Sequence, residues 1–207
     1  MDKNKRELNK NKREFKFDKR APSYDDGFEG KFSKKFYRVL LSRLNLKPFA
    51  KVLDVGCGTG YLLRKMADAQ EIQGYGIDIT QNMIDIAAGK CSDMTIQASA
   101  CERTPFDDGS FDILTACMAY HHFSDKAGFA KEAARILKIG GCLYIADPRF
   151  PFPVRKTING VLRLFKVTGR FFTPQEVADD FRRVGFELVD VTCDGIVQVV
   201  TLRKLLI

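Results

Sequence analysis

The chain has 207 residues, 45% of them hydrophobic, and a formal net charge of +8. This is enough for one α/β domain with its own core. The sequence contains no run of 18 apolar residues, so we expect no integral membrane association, and its charged N-terminus is not typical of a secretory signal. Residues 1–20 hold nine Lys or Arg and four Asp or Glu, a net +5. We expect a solvated, partly disordered basic leader there, with an arm for RNA or an anionic membrane surface as the alternative.

The cysteines are scattered through the sequence without a C-x-x-C pair, at positions 57, 91, 101, 117, 142 and 193. Several fall in apolar, strand-like runs, so we expect small core residues of a cytoplasmic protein rather than disulfides or a zinc site. The only two histidines are adjacent, and no acidic or histidine cluster has ligand spacing. We therefore expect no metal.

Strands and helices are predicted to alternate along the chain. The predicted strands are short apolar runs, at 51–55, 72–78, 94–98, 111–117, 142–146, 186–193 and 196–203. The predicted helices show apolar residues at helical spacing or a capping signal, at 31–44, 61–69, 80–88, 126–137, within 148–172, and 173–184. Alternation of this kind predicts a mainly parallel sheet with helices on both faces. The last two strands share a short turn and must be antiparallel.

The stretch from Val52 to Gly60 reads V-L-D-V-G-C-G-T-G. A buried strand ends in an acid and then in glycines at alternate positions, which predicts a tight turn before a helix. Glycine lets the backbone approach a ligand closely, and the amides of a helix start point toward the ligand's anionic part.

Two classes of ligand fit such a turn. A dinucleotide site favours G-x-G-x-x-G, whereas here the third glycine comes one position early and Tyr61 stands in its place. Asp54 also puts a carboxylate at the end of the strand, where it suits a cationic group such as the ammonium of a methionine moiety. The spacing D-x-G-x-G-x-G resembles the first motif of class I S-adenosylmethionine (SAM)-dependent methyltransferases, and we favour SAM over NAD or FAD.

Asp78 ends the second strand, 22 residues after Gly56. An acid there can accept hydrogen bonds from both ribose hydroxyls. The alternative is a cap for the next helix, but Thr80 can fill that role. Met83, one turn into that helix, either packs on an adenine ring or belongs to the core.

Most of the chain, roughly residues 20–192, resembles the small type 11 methyltransferases, which include the ubiquinone and menaquinone methylases. The matching segments are 20–25, 52–60, 76–80, 102–106, 110–112, 120–122, 135–141 and 185–186. The resemblance implies a Rossmann-like doubly wound sheet of seven strands, in the order 3-2-1-4-5-7-6. It also implies SAM as cofactor, S-adenosylhomocysteine as product and methyl transfer as the activity. We expect a small-molecule acceptor, with an RNA methyltransferase or a SAM-binding module without catalysis as alternatives.

The resemblance also implies a role for individual residues of the site. These are Asp54 and Gly56 at the methionine end, Asp78 at the ribose, Ala100 and Cys101 at the adenine edge, the Cys117 carbonyl at the amino group, and Tyr24 over the sulfonium region. Gly58 and Ile79, with Met83, are further candidates for cofactor binding. This sequence departs from the family pattern at Ala100, where an acid often contacts the adenine amine.

The imidazoles of His121 and His122 follow the fourth strand and are the candidates for a catalytic base. The favoured alternative is that they pack or hydrogen-bond within their loop. Asp147, at the end of the fifth strand, could contact the substrate. By the resemblance, residues 21–47 form an N-terminal lid within a domain of 21–207, and residues 148–172 cover the substrate. The Phe and Arg or Lys residues of this segment either form an amphipathic core helix or a pocket for an anionic or aromatic molecule. They could also bind nucleic acid.

Overall fold

The structure is a computed structural model that describes residues 19–165 and 169–206. The prediction of a basic leader falls largely on residues 1–18, outside the described part. The helices are α1 Phe28–Leu41, α2 Tyr61–Ala69, α3 Gln81–Lys90, α4 Lys126–Ile136, α5 Phe152–Leu164 and α6 Pro174–Arg182. The strands are β1 Lys51–Val55, β2 Gln73–Asp78, β3 Thr95–Ala98, β4 Phe111–Cys117, β5 Leu137–Pro148, β6 Phe186–Asp194 and β7 Val197–Lys204. Short 3-10 turns cover Ala21–Ser23 and Tyr120–His122.

The seven strands form one sheet in the order β3-β2-β1-β4-β5-β7-β6. Strands β1 to β5 are parallel, whereas β7 is antiparallel to both β5 and β6. The predicted fold class is therefore confirmed. Because Asp54 is paired with Gly76 on one side and Thr115 on the other, the carboxyl ends of β1, β2 and β4 meet at one edge of the sheet.

Alternate residues of the strands enter two cores, one on each face of the sheet. Val52 packs with buried residues of α1 and α2, such as Phe36 and Met66. Leu53 packs instead with residues of α4 and α6, such as Phe129 and Phe181. β1 is therefore buried along nearly its whole length, with apolar side chains on both faces of the sheet.

The structure differs from the sequence prediction at β5 and α1. The fifth strand begins at Leu137, directly after α4, and not at residue 142. Its pairing with β4 is irregular between Phe111 and Ile113, where residues 138–141 bulge opposite the single residue Asp112. The glycines therefore mark a bulge inside a strand instead of a break between two elements. The first helix runs Phe28–Leu41, earlier than the predicted 31–44.

The segment 148–172 contains α5, which has no fully buried residue. Phe152 is 68% exposed and Phe165 is 70% exposed, so these aromatic side chains do not belong to the core. Phe172 does, packing against Tyr120 beneath the sheet edge. No helix within residues 19–165 and 169–206 has the length and apolar character needed to cross a bilayer.

Candidate active site

A cavity opens at the edge where the carboxyl ends of β1, β2 and β4 meet. Its wall comes from the glycine turn after β1, the end of β2, the loop after β3, the turn after β4, and the N-terminal segment before and within α1. The residues that line it are Tyr24, Tyr37, Val55, Gly56, Cys57, Gly58, Ile77, Asp78, Ile79, Thr80, Met83, Ser99, Cys101, Glu102, Cys117, Met118, Ala119, His122, Phe123 and Ser124. This is the position at which open α/β sheets bind their ligands.

The glycine turn is shaped for a ligand at one position in particular. Gly56, Gly58 and Gly60 all have positive φ, between 52° and 75°, which favours glycine. A Cβ at Gly56 would lie 2.7 Å from the Ala119 side chain, so that glycine allows the β4 loop to pack closely. A Cβ at Gly58 would meet no atom within 4 Å, because this glycine faces the open cavity. At Gly58 no side chain therefore stands between the backbone and a ligand in the cavity.

Asp78 links the glycine turn to the end of β2. Its carboxylate accepts hydrogen bonds from the backbone N–H of Gly58 at 3.0 Å and of Thr80 at 2.9 Å. Each oxygen keeps acceptor capacity for a second donor. Removal from bulk water raises the pKa of the Asp78 carboxyl, while the two amides oppose that rise. Thr80 occupies the N-cap position of α3, but its side chain makes no capping hydrogen bond.

Asp54 lies behind the wall of the cavity rather than on it. It is 2% exposed, and its carboxylate accepts a hydrogen bond from the Thr115 hydroxyl at 2.6 Å. Burial raises the pKa of the Asp54 carboxyl to about 7. Tyr24, Tyr37 and Cys117 line the adjacent part of the cavity, and burial raises the pKa of each of these groups as well. Cys117 is thus a protonated, buried thiol and not an activated nucleophile.

The N-terminal segment is fastened to the glycine turn through Asp25. One carboxylate oxygen accepts a hydrogen bond from the Thr59 hydroxyl at 2.7 Å, and the other pairs with Lys90 at the end of α3. The neighbouring Tyr24 thereby reaches the cavity wall, with its hydroxyl 3.5 Å from Ser33 on α1. The segment lies across one side of the cavity.

The loop after β3 provides a different acid from the one that the family pattern leads one to expect. Ala100 does not line the cavity, but Ser99, Cys101 and Glu102 do. Ala100 forms an isolated bridge with Arg103, which turns the loop so that Glu102 reaches the wall. Ile79 and Met83 line the same end, and Met83 is 3% exposed.

The two adjacent histidines have different surroundings. His122 lines the cavity, whereas His121 is 5% exposed and lies behind it. One Asp147 oxygen is 2.8 Å from Nδ1 of His121, and the other accepts the His121 backbone N–H at 2.8 Å. The His121 ring packs between His122, at 3.9 Å between centroids, and Phe171, at 5.3 Å. Both oxygens of the Asp147 carboxylate therefore contact His121, and Asp147 is not positioned to contact a substrate.

The structure brings most of the predicted site residues into one cavity. Those on its wall are Tyr24, Gly56, Gly58, Asp78, Ile79, Met83, Cys101, Cys117 and His122. Asp54, Ala100 and His121 are not on the wall. Tyr37 and Glu102 are, and sequence reasoning missed both. Tyr37 could have been identified in the sequence as a polar hydroxyl group next to the apolar stripe of α1. Glu102 could have been identified as an acid two residues beyond the departure at Ala100.

Comparison with known proteins gives a consistent result. A family model described as a methyltransferase domain, of type 11, matches residues 53–145. A demethylmenaquinone methyltransferase of Chlorobaculum tepidum is 39% identical over 101 residues, 49% of this chain and 42% of that protein. A ubiquinone/menaquinone biosynthesis C-methyltransferase of a Geobacter species is 31% identical over 134 residues, 60% of this chain and 57% of that protein. The chain thus spans about half the length of these curated relatives.

Among solved structures, a Haloferax volcanii methyltransferase in complex with the Trm112 methyltransferase activator has the same fold. The two superpose with a TM-score of 0.80 at 21% identity, over 91% of this chain and 97% of that one. Residues 53–145 are thus similar in sequence to the methyltransferase domain that this family model describes, and the whole described fold is similar to that of a solved methyltransferase.

Proposed function

We propose that this protein binds SAM in the cavity and transfers its methyl group to a small-molecule acceptor. The main support for the proposal is that Gly58, whose backbone is open to the cavity, lies next to the carboxylate of Asp78, which hydrogen bonds hold in place. Gly58 leaves the backbone open to a ligand, and its own amide holds Asp78 at the ribose position. When bound, SAM would supply a methyl group already activated on a sulfonium.

The residues present fit each part of SAM. Asp78 has the acceptor capacity for two ribose hydroxyls, and Ile79 and Met83 offer an apolar surface for the adenine. Glu102 is the acid available to accept from the adenine amine, a role that the family pattern often gives to a residue at position 100. Asp54, ionised, would balance the methionine ammonium from behind Cys117, whose carbonyl completes that end. Tyr24 would cover the sulfonium side.

For the transfer itself, the main contribution of the protein is alignment of the acceptor with the methyl group. Holding two reactants in line is worth an effective molarity of roughly 10⁵ M or more. His122 is the imidazole on the cavity wall, and we assign it the removal of a proton from the acceptor. The His121–Asp147 pair acts as a positioning pair, because His121 is held at two atoms and packs against the His122 ring.

The acceptor that fits best is aromatic or anionic. The His121 ring stacks on Phe171, which in turn meets Phe150 at 5.0 Å between centroids. Arg149 and Arg170, which adjoin Phe150 and Phe171 in the chain, have exposed side chains, and the Arg170 guanidinium lies over the Phe172 ring. The Chlorobaculum tepidum relative is named for a menaquinone precursor, an aromatic compound, which supports the same class.

The test is calorimetric titration of SAM and S-adenosylhomocysteine into the purified protein. We expect saturable binding of both, lost in Asp78→Ala, followed by methyl transfer in a screen of phenolic and quinol acceptors. Asp68→Ala, at an exposed carboxylate paired with Arg64 and Lys65, is the matched control and should bind normally. Absence of binding of either compound by the parent protein would refute the proposal.

A further inference from the structure

The helix α5 exposes an apolar surface that the rest of the described protein does not cover. Val154, Val161, Leu164 and Phe165 are 46%, 48%, 75% and 70% exposed, and they recur at spacings of three, four and seven. Apolar residues at such spacing normally face a core, and burial of that face normally stabilises the helix. Here the face looks outward.

Polar contacts hold α5 to the body of the protein from its other side. The Asn159 side chain exchanges two hydrogen bonds of 2.9 Å with the backbone of Phe171. Arg155 pairs with Glu176 at the start of α6, at 2.7 Å. Since these contacts fix how the helix is turned, the outward direction of the apolar face is built into the structure.

The charges of the helix identify what would cover this face. From Phe152 to Leu164, α5 contains Arg155, Lys156 and Arg163 and no acidic residue. Arg155 is engaged by Glu176, whereas Lys156 and Arg163 are exposed beyond Leu164 around the helix, about half a turn from Val154 and Val161. A helix with one apolar face and a basic opposite face is typical of segments that lie in the surface of a membrane. A protein partner would have to supply both an apolar groove and acids placed for the two cations.

We propose that α5 inserts its outward face into an anionic lipid surface, as a peripheral contact. Val161, Leu164 and Phe165 would enter the acyl boundary, and Lys156 and Arg163 would reach the phosphate groups. The contact would set the acceptor side of the cavity against the lipid, because Phe171, which α5 holds through Asn159, packs on His121. This inference is independent of the proposed reaction, since the binding needs neither SAM nor an acceptor.

The experiment is flotation of the full chain with vesicles of phosphatidylcholine, and of an equal mixture of phosphatidylcholine and phosphatidylglycerol. We expect binding to the mixed vesicles, weakened by salt, and little binding to phosphatidylcholine alone. In the double variant Leu164→Glu/Phe165→Glu, binding should fall at least tenfold, because two large apolar side chains no longer insert. Lys156→Gln and Arg163→Gln should each weaken it about fivefold.

The matched control is Ile139→Glu/Phe49→Glu, which makes the same change of charge at two exposed apolar residues near the opposite end of the sheet. Circular dichroism and thermal unfolding confirm that each variant is folded. Equal binding by parent and α5 variant would overturn the proposal and assign any attraction to another basic part of the chain. So would a dimer of the parent, seen by light scattering without vesicle binding, that dissociates in the α5 variant.

Discussion

Asp54 and Asp78 end neighbouring strands, yet their surroundings give them different properties. Burial raises the pKa of Asp78, but two backbone amides donate to its carboxylate and oppose that rise. Asp54 receives one hydroxyl in a buried position, and its pKa rises to about 7. The ordinary pKa of an aspartate is about 3.9. The folded protein without a ligand therefore holds a proton on Asp54 at pH values where the unfolded chain has released it.

The sign of the pH dependence follows from this difference. Below about pH 4 Asp54 is protonated in both states. Between that pH and about 7 stability falls as the pH rises, because ionisation is hindered only in the folded state. We expect Asp54→Asn to raise the free energy of unfolding at pH 8 by about 1–3 kcal/mol and to leave it nearly unchanged at pH 4. Urea unfolding of both proteins at the two pH values measures this, and an equal effect at both would contradict the shift.

The same variant should bind SAM more weakly, because the methionine ammonium would lose its carboxylate. In the parent protein at pH 6, SAM binding should release a proton from Asp54. The heat of binding would then depend on the ionisation enthalpy of the buffer. Calorimetry in phosphate and in Bis-Tris reveals this, and identical heats in the two buffers would argue against a protonated Asp54.

The histidines offer a second test at the scale of single residues. With an acceptor identified, His122→Gln should lower turnover by about 10²–10⁴-fold and leave SAM affinity unchanged, because the base is removed and the cofactor site is not. Asp147→Asn should have a smaller effect, since it only loosens His121. It should alter the acid limb of the pH–rate profile rather than KM. A larger loss in Asp147→Asn than in His122→Gln would reverse the assignment of catalytic and positioning roles.

At the scale of elements, the N-terminal segment and the glycine turn behave as one unit through Asp25. Its contacts to Thr59 and Lys90 connect the 3-10 turn Ala21–Ser23 with the end of α3. The energy involved is small, since partly exposed ion pairs contribute about 0–1 kcal/mol. Such a weak contact is suited to the predicted role of this segment as a lid that opens and closes over a ligand.

We therefore expect Asp25→Asn to raise the dissociation rate of S-adenosylhomocysteine several-fold, with a change in unfolding free energy below about 1 kcal/mol. Stopped-flow displacement of the bound compound measures the rate. Asp68→Asn, which removes an exposed ion-paired carboxylate away from the cavity, serves as control. An unchanged dissociation rate would mean that Asp25 has no part in holding the segment closed.

At the scale of the whole molecule, Phe181 shows how the core supports the site. It is fully buried on α6 and meets the rings of Tyr120, Phe129 and Phe186. Tyr120 begins the turn that holds both histidines, so the core and the cavity wall share a side chain. Phe181→Ala should cost about 3–5 kcal/mol of unfolding free energy. Phe165→Ala, at a side chain that is 70% exposed, should cost far less. Comparable losses in urea unfolding would show that α5 is packed after all.

Much of this fold could be predicted from the sequence because its strands are buried on both faces. Continuous apolar runs located β1 and β4 to the residue, and the family resemblance implied the order of the strands. The start of β5 could not be predicted from the sequence. Gly140 and Gly141 are typical of a turn between two elements, and only the pairing with β4 shows that they belong to a bulge. Nor could periodicity separate His121 from His122, because a short 3-10 turn decides which ring faces the cavity.

The position of β7 between β5 and β6 has a consequence for how the protein is made. β5 pairs on one side with β4 and on the other with β7, which follows β6 in the chain. During synthesis, β5 therefore emerges long before the strand that will cover its second edge. Until the residues after Asp194 have left the ribosome, that edge offers unpaired backbone next to Leu143 and Ile145, an arrangement prone to aggregation. Insertion of the final hairpin is therefore the step that covers this edge of β5.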